Sequence, residues 1–418
     1  MQVVILAAGR SSRFIPFTSL VHKSMVKVMG KTILEHTLTS ISKTGIREVI
    51  LVVGENSSIP KVIGTGESFG LTIRYVIHIG AKGMGAALLE AQEYLHEKFF
   101  LLNAYHIDFD KFFDALCAQQ QTDSTVVLLG KKPQSSIQFG VMEINGEKVT
   151  DVKEKPAKIL DHQLQIIGIY LLNKNFLSVL SATPPDHYHF EKALDMYAKR
   201  NLVRFVKTSI ATVSLKYAWD LLEIKNYLLR TMESYTSAHA KISPHSVITG
   251  NVFIEDDATI MEGAVIKGPV YVGKKAVIGN YAVVRGSVAI EENAIVGARM
   301  EIKNSLLMDG VTTHSGFLGD SIIGARTKIA AYVCTANARL DRNPVTTLVK
   351  EEKVSSGLTH LGTIIGKDAN IGIRVSTMPG VIIGENSIIG PSTTVMKNIG
   401  DNTKYYTRFQ EVIEENDK

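Results

Sequence analysis

Three side chains in the second half of the chain have types and spacings that suit chemistry. Arg285 and Lys303 lie 18 residues apart, and His314 follows 11 residues later. Two cations held close repel each other unless an anion sits between or above them. Arginine adds two-pronged hydrogen bonds to the point charge of lysine, so the pair reads as a seat for a phosphate. Histidine titrates nearest neutrality, so His314 suits proton abstraction. Each also has a plain structural reading. His314 could cap the scaffold against a backbone carbonyl, and the two cations could pair with carboxylates such as Glu291 or Glu301.

A repeat must position them. Ile242, Ile248, Ile254, Ile260, Ile266, Val272, Ile278, Val284, Ile290, Val296, Ile302 and Met308 recur every sixth residue, and His314 takes the next slot. A period of six fits neither a helix nor a plain strand, but it fits a hexapeptide β-helix in which three hexads close each coil. Each aliphatic points inward and stacks on its counterpart one coil later, about 4.8 Å away. Arg285 and Lys303 then fall one full coil apart on one face. The beat takes a short step to Ile323 and Ile329 and breaks for a polar excursion over 337–362. It returns at Ile365, Ile371, Thr377, Ile383, Ile389 and Val395. A long loop on so regular a scaffold is expected to be functional.

The first half reads differently. Apolar runs at 3–7, 49–53, 72–77, 99–102, 125–129 and 166–172 alternate with amphipathic stretches such as 33–43, 85–96 and 112–121. That alternation predicts an α/β domain with a mostly parallel, Rossmann-like sheet that binds ligands at the carboxyl ends of its strands. After the first run, Gly9, Ser11 and Ser12 let backbone approach a polyanion, with Arg13 and Lys23 as counter-charges. An ordinary tight turn is the plain alternative.

Longer strings extend this reading. Leu6-Ala7-Ala8-Gly9, Arg13, Pro16, Lys23 with Met25, Gly30-Lys31, Gly83 and Gly85, Gly140-Val141-Met142-Glu143, Glu154-Lys155-Pro156 and Gly168-Ile169-Tyr170 resemble the sugar-1-phosphate nucleotidyltransferases, as does the helix begun by Trp219. The resemblance implies a nucleotide and sugar-phosphate site at Gly9, Arg13, Lys23, Gly140, Glu154 and Lys155. It also implies Mg2+, held by an Asp after the central strand and by a second group near the domain end. Those two positions carry Tyr105 and Ser214 here, and neither replaces a carboxylate as a hard ligand. His78, Met84, Ile166 and Ser11 also depart from the family pattern, and Asp108 or Asp110 would serve only in a shifted register. No metal ligand is therefore assigned. The domain is expected to bind nucleotide without turning it over, with Mg2+ required only if the site is active.

In the second half, Val284-Arg285, the string from Met300 to Ser305, His314 with Phe317-Leu318-Gly319-Asp320-Ser321, the string from Ala336 to Asp341, and that from Val375 to Gly384 resemble the acetyltransferase half of archaeal-type bifunctional glucosamine-1-phosphate acetyltransferase/uridyltransferases. By that resemblance acetyl-CoA is the donor, His314 takes the amine proton, and Asn337 orients substrate or thioester. Arg285 and Lys303 hold the sugar phosphate, and acetyl-CoA runs near Ser376 and Gly380, with Lys404 and Arg408 near its phosphates. A homotrimer is expected. Phe317 stands where the family has Tyr, and the interval from Lys303 to His314 is one residue shorter.

With 418 residues the chain divides by expectation into a nucleotidyltransferase-like domain over 1–235 that ends in a linker helix, a left-handed β-helix over 236–400, and a tail over 401–418 that is acidic at Glu411, Glu414, Glu415 and Asp417. Two cysteines, Cys117 and Cys334, exclude a disulfide framework and fit a reducing cytoplasm. The start lacks a basic segment before its apolar run, so it reads as a strand and not a signal peptide. No apolar run reaches membrane-spanning length, and the net charge of +5 has no basic block to suggest nucleic acid. Three functions follow. The first is an acetyltransferase acting on an amino-sugar phosphate, with a binding-only first domain. The second is a bifunctional enzyme with unusual metal ligands, and the third is a non-catalytic sugar-nucleotide-binding scaffold.

Overall fold

The computed structural model describes all residues except 18, 20, 21, 81, 82, 121, 123, 124, 134–138 and 415–418. Its contacts divide the chain into two units. The first comprises Met1–Ser11, Leu20–Val26 and Lys31–Ser214, and the second Ser12–Ser19, Lys27–Gly30 and Leu215–Lys418.

The first unit is the α/β domain. Its strands among the described residues are β1 (Gln2–Ala7), β2 (Glu48–Gly54), β3 (Thr72–His78), β4 (Lys98–Asn103), β5 (Val126–Lys131), β6 (Gly140–Asn145), β7 (Lys148–Glu154), β8 (Gln163–Asn173) and β9 (Val203–Thr208). They form one sheet in the order β3-β2-β1-β4-β8-β5-β9-β7-β6. β1 to β4 run parallel, while β8 is antiparallel to both β4 and β5. Each of the six expected apolar runs is a strand. The alternation did not reveal the β6–β7 hairpin or the reversal at β8, because antiparallel neighbours share the apolar pattern of parallel ones when both faces are covered. Helices α1 (Ile33–Ser42), α2 (Gly83–Glu90), α3 (Phe113–Ala118), α4 (Lys174–Ala182) and α5 (His189–Ala198) supply the cover. α1 starts where it does because Thr32 and Glu35 form a reciprocal capping box.

The second unit is the hexapeptide β-helix. Its short parallel strands stack into three sheets, termed the first, second and third faces, of eight, nine and eight strands among the described residues. The inward ladder from Ile254 through Ile302 is buried as the period requires. After Ile302 the beat shortens. Leu307 and Thr313 point inward, and Leu318 and Ile323 follow at steps of five. Met308 and His314 are therefore not core positions, a correction to the strict six-residue count. Its cause is the tight turn at Asn304 (φ 43°), where the Ser305 hydroxyl donates to the Lys303 carbonyl at 2.8 Å and saves one residue.

Helix α6 (Asp220–Thr231), expected to close the first domain, is counted with this second unit. The coil begins at Tyr235–Thr236 and runs past residue 400, since Lys404–Tyr405 pairs with Ile388–Ile389 on the second face. Glu411 and Glu414 are exposed, while Glu415 and Asp417 lie outside the described residues.

Candidate functional site

In the coil, the third-face rungs align Lys267, Arg285, Lys303 and Gly319. Arg285 and Lys303 are adjacent as their spacing demands, but each has a carboxylate of its own. Arg285 Nη2 meets Glu301 Oε1 at 2.6 Å, and Lys303 Nζ meets Asp320 Oδ2 at 3.2 Å. Glu291, the other carboxylate considered as a partner, does not pair with either cation among the described residues.

Asp320 is buried and collects three donors. Besides Lys303 it accepts from Asn337 Nδ2 at 2.6 Å and from Asn304 Nδ2 at 2.7 Å. Such a cluster fixes the orientation of the carboxylate. Asn337 opens the excursion, which folds back as a hairpin of Thr346–Val349 and Glu352–Ser355 and closes through Leu361 N–H donating to Asn337 O at 2.8 Å. Phe317 belongs to the same place. A Cβ on Gly319 would lie 2.6 Å from the Phe317 ring and 2.9 Å from Asn337 Nδ2, so ring and amide meet over that glycine.

The shortened beat moves His314 from the core to the corner between the second and third faces, where it is exposed. Its N–H donates to Ile329 O at 3.0 Å. Gly316 (φ 138°) fixes the chain just beyond, since a Cβ there would stand 2.0 Å from Val333 O. His314 lines a cavity of about 440 Å³ with Thr312, Lys328, Asn370, Ile388 and Pro391. Gly316 and Gly319 pair with Met300 and Lys303. His314 and Lys303 thus stand toward opposite ends of one strand, separated by about 10 Å or more at 3.3 Å per residue. A ligand that touches both must lie lengthwise along the third face.

Ser376 shares the outward row of Phe317 and Cys334 on that face. Gly380 does not join it. It turns the next corner at φ 76° beneath the excursion, where its own Cβ would be 2.6 Å from Val345. Lys404 and Arg408 are exposed on the closing segment.

In the first unit, the loop after β1 brings Gly9 and Ser11 to Lys23, whose N–H donates to Ser11 Oγ at 3.0 Å. His22 beside it is buried, and burial together with Lys23 holds its ring down at about 3, so it stays neutral. The hairpin brings Gly140, Glu154 and Lys155 together. Gly140 pairs with Glu154, and a Cβ there would lie 2.8 Å from the Glu154 carboxylate. Lys155 donates to Tyr188 Oη at 3.1 Å. Arg13, expected in the same site, falls in the Ser12–Ser19 segment of the second unit. There its neighbour Ser12 accepts from Lys350 Nζ at 2.7 Å.

At the metal position, Tyr105 follows β4, and Lys23 Nζ stands 5.3 Å from its ring centroid. Asp108 is fully buried, with Oδ2 accepting from Val213 N–H at 3.2 Å. Asp110 accepts from Ser40 Oγ at 2.7 Å. Asp110 is engaged with α1, whereas Asp108 keeps its buried Oδ1 without a hydrogen bond, 3.5 Å from His106 Nδ1. No cluster of three or more His, Cys, Asp or Glu that could hold a metal occurs among the described residues.

Sequence reasoning missed four residues. Burial lifts the Glu191 carboxyl to about 7, and Glu154 nearby adds to the rise. Asn304, Asp320 and the buried Lys225 complete the coil network. Asn304, Asp320 and Asn337 recur at one turn position on successive coils, a signal hidden until the short steps are known.

The nucleotidyl transferase family matches residues 2–219, the GMPPB C-terminal domain residues 266–371, and the bacterial transferase hexapeptide family residues 362–397. The chain is 37% identical over 422 residues to a bifunctional protein GlmU of Methanococcus maripaludis, covering 99% of both chains. It is 28% identical to a bifunctional sugar-1-phosphate nucleotidylyltransferase/acetyltransferase of Sulfurisphaera tokodaii, covering 96% of this chain and 98% of that one. With a glucose-1-phosphate thymidylyltransferase of Streptomyces antibioticus it shares 24% identity over 62% of its own length and 74% of that protein. No helix among the described residues is long and apolar enough to cross a membrane.

Proposed function

The chain belongs to the bifunctional GlmU family of transferases, and from that premise we propose that its β-helix moves acetyl from acetyl-CoA to an amino-sugar phosphate, while its first domain binds a nucleotide or sugar phosphate without transferring it. The observation that carries this reading is an asymmetry. His314 is exposed beside a cavity of about 440 Å³, whereas the expected carboxylate of the first domain is a tyrosine under a lysine.

Arg285, in exchange with Glu301, and Lys303, held by Asp320, bind the phosphate at one end of the third-face strand. The amine then extends toward His314. As the amine nitrogen bonds to the thioester carbonyl carbon, His314 takes its proton, and the carbon–sulfur bond breaks to release the thiolate. The proton returns to that sulfur. Asn337, fixed by Asp320, orients the substrate, and the hexapeptide repeat supports a homotrimer.

Acetyl-CoA consumption with glucosamine-1-phosphate tests the first part. Lack of turnover with any amino-sugar phosphate overturns it. A second reading, transfer in both halves, is favoured by the names of relatives that align over 96–99% of this chain. Pyrophosphate release from UTP or dTTP with Mg2+ and a sugar phosphate would establish it.

A further inference from the structure

The lysine Lys225 on α6 has no role in the chemistry above, yet its side chain is fully buried. Its Nζ donates to the Ser287 carbonyl and, at 2.9 Å, to Asn304 Oδ1. Ser287 and Asn304 occupy the turns that leave the third face just after Arg285 and Lys303. A lysine placed there joins two successive turns of the proposed phosphate seat from behind.

The joint also has a direction. An amide side chain can be rotated to exchange its oxygen and nitrogen, and only its partners choose between the two. Lysine donates and never accepts in its charged form, so Asn304 must turn its oxygen to Lys225. Its Nδ2 is then forced toward Asp320 Oδ1, at 2.7 Å. With one carboxylate oxygen engaged in this way, Oδ2 remains for Lys303 at 3.2 Å and Asn337 at 2.6 Å.

We infer that Lys225 is a positioning residue for the coil site: through Asn304 it sets Asp320, which in turn aims Lys303 and Asn337 at the amino-sugar phosphate. The inference rests on the acetyl-transfer reading for its substrate, but its geometry stands apart from it. Burial draws Lys225 down to about 7, with Asp320 opposing. The charged form, which has no lone pair, is the one that fixes the direction of Asn304.

Lys225→Met in the full chain tests this, with Lys225→Arg as the donor-retaining control. The expected result is a rise of about tenfold or more in KM for glucosamine-1-phosphate, the scale of one misplaced charge-assisted hydrogen bond. KM for acetyl-CoA should stay unchanged, and Lys225→Arg should recover part of the loss. Parallel changes in both KM values with a lowered Tm, or no change in either, overturn the inference. A crystal structure of Lys225→Met supplies the second readout. Asn304 turned away and Asp320 released from Asn337 support the ladder, and an unmoved Asp320 cluster overturns it. If the wild-type chain has no acetyltransferase activity, the functional reading falls while the crystal structure still decides the ladder.

Discussion

On the proposed reading the two units answer the same demand, holding phosphate-bearing ligands, with opposite arrangements. At the end of β4 the scaffold keeps its shape while the chemistry-bearing side chain has changed, and Lys23 stands over the Tyr105 ring. On the third face of the coil the side chains are kept and neutralised in advance, with Arg285 on Glu301 and Lys303 on Asp320. A fold survives the loss of one carboxylate because its core does not depend on it. A reaction does not, since transfer between two anions needs its charge compensated. On the proposed reading, chemistry lies in the coil and binding in the α/β domain.

The largest test of that contrast is His314→Ala. Removing a general base lowers turnover by about 10²–10⁴-fold, and the exposed position predicts an unchanged Tm and oligomeric state. Acetyl-CoA consumption at saturating substrate is the measurement. A variant within twofold of the wild type would move the base elsewhere.

Arg285→Met comes next. Losing a charge-assisted contact to phosphate costs about 1.5–3 kcal/mol, or roughly 10–100-fold. The loss should appear in KM for the sugar phosphate and leave KM for acetyl-CoA in place. Because Glu301 already holds Arg285, Glu301 is then left with an uncompensated charge near the seat. The effect should therefore shrink in the Glu301→Gln background, which a double-mutant cycle would show.

How much of this could be read from the sequence follows from what each pattern measures. The six-residue period measures burial, so it located the inward ladder from Ile254 to Ile302 without help. It failed at Met308 and His314 because one hydroxyl–carbonyl contact at Ser305 shortens the coil, and no periodicity contains that contact. Spacing placed Arg285 beside Lys303, yet Asp320 as the partner of Lys303 needed the turn geometry. Gly380, expected as a ligand contact, takes φ 76° under Val345, a backbone demand that no motif announces. In the first unit, motif residues Gly140, Glu154 and Lys155 came together as one hairpin, while Glu191 reached them from α5, with no motif around it to announce it.

Glu191 gives a smaller, pH-dependent test. Its carboxyl is raised from 4.5 to about 7, chiefly by burial. A raised folded pKa means that its contribution to stability is fully present below the unfolded value and is lost as pH rises through 7. At pH 8 the folded state bears a buried charge. Glu191→Gln should therefore stabilise the chain at pH 8 by about 1–2 kcal/mol, allowing for its partial exposure, and do little at pH 4.5. Urea denaturation at the two pH values would show it, and equal shifts at both would assign the effect to packing.

The smallest expected effect bears most directly on the contrast. If the α/β domain binds nucleotide through backbone N–H groups near Gly9 and through Lys23, a divalent cation has no protein ligand at Tyr105 and contributes only its weak pairing with phosphates in solution. UTP affinity should then change by less than about fivefold when EDTA replaces Mg2+, since one charge–charge contact in water is worth about 1 kcal/mol at 4 Å. Isothermal titration with and without chelator measures it. A loss of tens-fold on chelation would require a protein-held cation. Asp108 through its unengaged Oδ1, or Asp110 on giving up Ser40, would then hold it, and either would appear as a nucleotide-dependent change in stability. Without such a change, the tyrosine has replaced the cation site and the coil retains the chemistry.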